Sequence, residues 1–254
     1  MRIRVIDSGE QGQHSQSILM SYVINDCVAI DAGAIGLIKP LADQNRIHTI
    51  FLSHAHADHI ATLPFFVDNV FVPGPECVSL YASRSTIQDL EEHLFNDRIW
   101  PDLARLAHSE SPFITFEPIE AGKPVEIAGL RVTPFETDHV TPTLGFLLED
   151  ENSAVAMVAD TAPVDDLWKM LAEVRNLKAV FLEVSFPNSM QWLAGKAKHL
   201  TPFDLAGEVA KLQLDVDWHV IHVKVNFMQQ IADEIQTLNL PRCSFAEAGI
   251  DYVY

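Results

Sequence analysis

Ile47-His48-Thr49-Ile50-Phe51-Leu52-Ser53-His54-Ala55-His56-Ala57-Asp58-His59 is the stretch that decides how this sequence is read. Residues 47–52 have the length and apolar, β-branched content of a buried strand, which ends in Ser53. Four potential metal ligands follow within six residues: His54, His56, Asp58 and His59. Along an extended or looping backbone, residues two apart point the same way, so His54 and His56 can close on one ion. If the chain turns into a helix at Asp58, its carboxylate and the imidazole of His59 swing elsewhere and suit a second ion. A lone His beside a strand end is ordinarily a surface or satisfied core residue. Three with an Asp, built from the commonest metal-binding side chain, point to a metal centre.

The rest of the chain sets bounds on that centre. With 48% apolar and 20% charged residues the composition is that of a soluble globular protein, and 254 residues are an ordinary length for a single α/β domain. No repeat, low-complexity tract or linker interrupts it, so one domain over 1–254 is the simplest account. The net charge of -18 opposes attraction to long nucleic acid. A small anionic substrate stays compatible, because divalent ions reverse the local field. Cys27, Cys77 and Cys243 are odd in number and widely spaced, which argues against a disulfide framework and a Cys-rich zinc site. The N-terminal residues lack a signal-peptide apolar stretch, and no run approaches the ~18 apolar residues of a membrane span. The expectation is a cytoplasmic protein without a membrane partner.

Outward from the decisive stretch, strands are expected at 2–6, 17–24 and 27–30, the last two joined by Asn25-Asp26 as a two-residue hairpin turn. Asp31 follows the third, and His14 sits in a polar loop where it could face a substrate. Residues 35–44 read as a helix, 60–63 as a short helix, 70–72 and 78–81 as strands, and 85–95 as a helix. Phe95-Asn96-Asp97-Arg98-Ile99-Trp100-Pro101 is unusually aromatic for a helix end. Its side chains suit the core, a homodimer contact, or the wall of a pocket for a flat base. A β-meander over 113–135 leads to His139, and a strand at 154–158 stops before Asp160. A strand at 179–182 leads into Glu183-Val184-Ser185-Phe186-Pro187-Asn188. Thr201-Pro202 then opens a helix as N-cap and first residue. A strand over 218–223 carries His219 and His222. Strand alternation puts those two on opposite sides, so His219 is assigned to core or surface. His139, Asp160 and His222 each stand at or beside a strand end, and loops at one end of packed sheets could gather them.

The H-x-H-x-D-H cluster at 54–59, the lone His139, Asp160 after a strand and the final His222 resemble the metallo-β-lactamase superfamily over nearly the whole chain. The resemblance implies an α/β (α+β) class protein: an αββα sandwich of two mixed β-sheets covered by helices. Within that superfamily the chain looks most like the class II 3′,5′-cyclic-nucleotide phosphodiesterases. Residues 54–63 carry the likeness, with 95–101, 183–188, His199-Leu200-Thr201-Pro202 and His222-Val223-Lys224. Ala57 stands where that family usually has Leu, and Thr62 where it has Gly. Carried over by position, the resemblance implies that His54, His56 and His139 hold one divalent ion and Asp58, His59 and His222 the other. Asp160 would bridge them, and Asp31 would orient the ligand loops from behind. Zinc suits imidazole and carboxylate ligands, and manganese or iron are alternatives.

Phosphodiester hydrolysis makes three demands that these residues can meet. Water must become a nucleophile near neutral pH, growing negative charge must be neutralised, and a poor leaving oxygen must be protonated. Paired metals answer the first two. Glu183 and His199 answer the third, because a carboxylate on one imidazole nitrogen fixes the ring as a general acid. Similar Glu and His motifs occur in tRNase Z enzymes, whereas a thiolate leaves a thioester unaided. The expected activity is therefore opening of cyclic AMP or cyclic GMP to a 5′-monophosphate. Asp58 would orient or deprotonate the water, and Lys224 would steady the phosphate as a point charge. The rivals are a tRNase Z-like RNA 3′-processing nuclease, a glyoxalase II-like thioesterase, and a non-catalytic metal-dependent nucleotide binder.

Overall fold

The computed structural model describes residues 1–8, 18–108 and 110–254. Its strands are β1 (Arg2–Val5), β2 (Tyr22–Ile24), β3 (Val28–Ile30), β4 (Thr49–Phe51), β5 (Val78–Ala82), β6 (Ile114–Pro118) and β7 (Val125–Ile127). The remaining strands are β8 (Leu130–Glu136), β9 (Leu144–Glu149), β10 (Ala154–Met157), β11 (Leu177–Glu183), β12 (Asp217–Ile221), β13 (Cys243–Phe245) and β14 (Asp251–Val253). They form two sheets, in the orders β14-β1-β2-β3-β4-β5-β6 and β13-β12-β11-β10-β9-β8-β7. Each sheet is mixed. Strands β14 to β3 pair antiparallel and β3 to β6 parallel, while β7 to β10 pair antiparallel and β10 to β13 parallel.

The parallel half of each sheet positions the site. Parallel neighbours all exit at one edge, so the residues after β3 and β4 of one sheet meet those after β10, β11 and β12 of the other. These strands are apolar on both faces, as β4 and β10 show by being buried at every position. Between the sheets lie Ile3, Ile24, Phe51, Phe146 and Phe181, with the Phe51 and Phe146 rings edge-on at 5.6 Å. Outside one sheet, Trp168, Leu171, Leu205 and Ile231 pack beneath helices Asp166–Ala172, Pro202–Lys211 and Met228–Leu238. Outside the other, Leu63, Phe66 and Leu90 do the same under Leu63–Val70 and Arg84–His93. The αββα sandwich of the sequence reading is therefore the fold. No helix among the described residues is long and apolar enough to cross a membrane.

Local departures have physical causes. Asn25 and Asp26 both have positive φ, 48° and 64°, as a tight hairpin turn between right-twisted strands requires. The helix expected over 35–44 is split into Ile35–Leu37 and Leu41–Gln44, because Pro40 has no N–H to continue it. Residues 70–72 are not a strand. Helix Leu63–Val70 ends there, with Pro64 in the first turn, where a missing N–H costs nothing. Thr62, one of the two departures from the phosphodiesterase pattern, accepts from the Gly36 N–H at 2.9 Å and donates to the Ala32 carbonyl at 3.2 Å. It ties the loop after β3 to the start of helix Leu63–Val70. In the aromatic segment, Phe95 is buried in the core and Trp100 meets Phe65 edge-on at 5.1 Å, while Ile99 is exposed.

Candidate metal centre

His54 leaves the end of β4, and His56 lies just before helix Ala57–Ile60, which carries Asp58 and His59 in its single turn. His139 follows β8, Asp160 follows β10 and His222 follows β12. These seven fall into two sets whose ligand atoms lie within 4.8 Å of one another: His54, His56, His139 and Asp160, and Asp58, His59 and His222. Asp160 faces both sets. Its Oδ2 is 3.7 Å from Nε2 of both His54 and His139, and its Oδ1 is 3.5 Å from His59 Nε2 and 3.4 Å from His222 Nε2.

The outer nitrogens are already committed. His54 Nδ1 lies 3.0 Å from Ser53 Oγ, His59 Nδ1 2.7 Å from Asp31 Oδ2, and His139 Nδ1 3.0 Å from the Lys198 carbonyl. Asp31 is pinned in turn, accepting from the Ser53 N–H at 2.8 Å and its hydroxyl at 3.0 Å. Inward, His54 Nε2, His59 Nε2 and Asp160 Oδ1 are buried without any hydrogen-bond partner. Such an atom ordinarily costs about 1–3 kcal/mol, and three of them spread over the two ligand sets are what bound cations would satisfy. The residues present fit a divalent metal.

Charge agrees with geometry. Burial, with the neighbouring imidazoles, pushes His54 well below the usual histidine range, and burial lowers His56 and His139, so these rings present lone pairs. Burial opposes charge on His59, yet Asp31 and Asp160 override it and raise its pKa well above the usual range. Two carboxylates on one imidazole mark a place built for positive charge. Asp160 is buried too, but His222, His59 and His54 hold its carboxyl well below the ordinary range. Asp58 is likewise held low against burial, by His222, His59 and Lys224.

Beside the second set stand the remaining candidates. Glu183 Oε1 receives His199 Nδ1 at 2.6 Å and the Thr161 N–H at 3.1 Å, and His199 stacks on His222 with centroids 5.4 Å apart. Burial would lower the His199 pKa, but Glu183 reverses this and raises it. Lys224 Nζ lies 3.8 Å from Asp58 Oδ2 and is partly exposed. His14 lies outside the described residues. His219 faces the core between the sheets, packed on Phe181 and Tyr252 at 4.7 and 4.5 Å. Ser53 and Ser185 were not singled out from sequence, although each directly follows or nearly follows an apolar strand; Ser185 Oγ sits 2.8 Å from His222 Nδ1.

A sandwich whose strand ends gather histidines and aspartates in this way defines a metallohydrolase class, and the family comparison agrees. The description "Beta-lactamase superfamily domain" fits residues 28–237, and the chain belongs to that superfamily. A probable 3′,5′-cyclic-nucleotide phosphodiesterase of Yersinia pestis is 28% identical, over 82% of this chain and 72% of its own length. A 3′,5′-cyclic-nucleotide phosphodiesterase of Aliivibrio fischeri is 27% identical over 67% of this chain, and a ribonuclease Z of Mycobacterium bovis 30% identical over 59%. The chain spans only 54% and 53% of those two relatives. Among solved structures, unliganded yeast PDE1 superposes with a TM-score of 0.78 at 16% identity, covering 98% of each chain. The short form of human tRNase Z gives 0.69 at 16% identity, covering 100% of this chain and 99% of that one. At such identities these two likenesses speak for the fold alone.

Proposed function

We propose that this protein is a cytoplasmic, single-domain phosphodiesterase that hydrolyses 3′,5′-cyclic nucleotides, cyclic AMP or cyclic GMP, to 5′-monophosphates. The observation that carries the reading is the Glu183–His199 pair, 2.6 Å apart at the edge of the ligand cluster. Expelling an oxygen from phosphorus calls for an acid, and this pair is one. The cyclic-nucleotide phosphodiesterase relatives supply the substrate class.

His54, His56 and His139 would hold one divalent ion and Asp58, His59 and His222 a second, with Asp160 shared between them. Zinc suits these ligands best, with manganese or iron as alternatives. Ions there supply an acidified water and neutralise the charge that grows on the phosphoryl oxygens. Asp31 holds His59 in register from behind. Asp58, kept ionised, accepts a hydrogen bond from the attacking water and aims it at phosphorus. His199 gives Nδ1–H to Glu183, which leaves Nε2 to deliver a proton to the departing 3′ oxygen. Lys224 steadies the phosphate from the exposed side.

The test is chromatography of cyclic AMP and cyclic GMP incubated with protein whose metal has been counted. Conversion to the 5′-monophosphate, lost on chelation and regained on adding metal back, is the expected result. No conversion at full metal occupancy refutes the reading. The ribonuclease Z relative favours a second reading, so precursor tRNA belongs in the same assay.

A further inference from the structure

We infer that Ser185 and Ser53 are positioning residues whose hydroxyls fix the metal-binding tautomers of His222 and His54, and that Ser185 makes Glu183 serve an acid and a metal ligand together. This rests on the metal-binding part of the proposed function and is independent of the substrate.

Ser185 is fully buried. Its Oγ lies 2.8 Å from His222 Nδ1, 2.9 Å from Glu183 Oε2, 3.0 Å from the His222 carbonyl and 3.3 Å from His199 Nδ1. A hydroxyl has one proton to give and two lone pairs to receive with, and a carboxylate only receives. Two acceptors compete for the Ser185 proton, and the charged, nearer Glu183 carboxylate takes it over the His222 carbonyl; with its proton committed, Ser185 Oγ accepts from His222 Nδ1–H. That arrangement leaves the lone pair of a neutral His222 on Nε2, the atom that faces Asp58 and Asp160. In the opposite tautomer Ser185 would turn its proton to Nδ1, and neither the Glu183 oxygen at 2.9 Å nor the His222 carbonyl at 3.0 Å would receive one.

The other sheet repeats the chain of bonds. Ser53, also buried, lies 3.0 Å from Asp31 Oδ2 and 3.0 Å from His54 Nδ1. By the same count Ser53 donates to Asp31 and accepts from His54 Nδ1–H. The lone pair is left on His54 Nε2, one of the buried atoms without a partner. Each sheet thus contributes a carboxylate, a serine and an imidazole in series, one to each ligand set. Only the Glu183 series also holds an acid, through the His199 Nδ1 bond to Oε1.

The test is zinc binding, measured by chelator competition with zinc alone as the probe, so that activity plays no part. Wild type should take up two zinc ions. Ser185→Ala should weaken one by about 10- to 100-fold and spare the other, while Ser53→Ala weakens most the one that Ser185→Ala spares, with a smaller effect on the other because Ser53 also supports Asp31 behind His59. Thermal unfolding of the zinc-free variants separates a lost fold from a lost ligand. Should either variant fail to fold, nitrogen-15 NMR of the zinc-loaded wild type decides. His222 and His54 should each be bound through Nε2 with a slowly exchanging proton on Nδ1. Ligation through Nδ1, or unchanged zinc affinities in folded variants, overturns the inference. A wild type that binds no zinc overturns both the inference and the metal assignment beneath it, while two bound zinc ions without cyclic-nucleotide turnover would overturn only the substrate reading.

Discussion

Glu183→Gln removes a charge while keeping a shape. The amide oxygen can take the Oε1 place and keep His199 Nδ1–H and the Thr161 N–H, bonded at 2.6 and 3.1 Å in the native protein. The amide nitrogen then meets Ser185, whose proton can turn to the His222 carbonyl 3.0 Å away. Only the long Leu200 N–H contact to Oε2, 3.4 Å, is given up, and what chiefly disappears is the carboxylate that overrides burial and raises the His199 pKa. The alkaline limb of kcat, which needs His199 protonated, should therefore move to lower pH. General acids contribute about 10²- to 10⁴-fold; with geometry kept, the loss belongs at the low end, about 100-fold or ~2.7 kcal/mol. The assay compares cyclic AMP with bis(p-nitrophenyl) phosphate at full metal occupancy. Nitrophenolate leaves without a proton, so its rate should stay within about threefold. Equal losses on both substrates, with metal content unchanged, would remove His199 from proton donation.

Three further outcomes follow from the same geometry. Asp160→Ala should abolish binding of at least one ion, because both carboxylate oxygens face imidazoles of different sets; a variant with two ions and full activity removes Asp160 from the site. Stripping metal should lower the melting temperature, since three buried polar atoms lose their partner. Ligand at 1,000 times its dissociation constant contributes about 4 kcal/mol, and superimposable melts with and without counted metal would contradict this. His219 is held by burial at about 4, below its unfolded value of ~6.5. Its contribution is therefore complete above pH 6.5 and is lost as pH falls toward 4. Between pH 8 and pH 5 wild type should lose about 2 kcal/mol more than His219→Gln in urea unfolding. Parallel pH dependences of the two proteins would show that His219 is not the group responsible.

The cluster at 54–59 was legible because its ligands are neighbours in sequence, so one strand exit and one helical turn suffice to aim them. His139, Asp160 and His222 were legible at one remove, since each ends an apolar run. The serines were not: a Ser after a strand is common, and Ser185 acquires meaning only from His222, 37 residues away. Helix Gln191–Ala197 escaped notice because it buries little beyond Ala194 and leaves Trp192 exposed, so no apolar stripe marks it. Strands β13 and β14 are three residues each, and their existence depends on the strands they join, β12 and β1. Local pattern reports what a residue does for its own element, and both serines act between elements.

The backbone at the site shows how residues just past a strand end are aimed. Asp31 and His222, immediately after β3 and β12, have φ of 59° and 58°, a left-handed conformation that non-glycine residues avoid. The turn redirects each side chain at the strand exit, so that His222 reaches the ligand cluster while His219 stays between the sheets. Such a conformation costs on the order of 1 kcal/mol or more and persists where the surroundings over-determine it. Here the surroundings are the serine bonds: Ser53 holds Asp31 by two hydrogen bonds, and Ser185 holds the ring of His222. Strain, serine and ligand therefore form one unit in each sheet. The same hydroxyl that fixes which nitrogen carries the proton also holds the residue, or its neighbour in the series, in the turn that aims it.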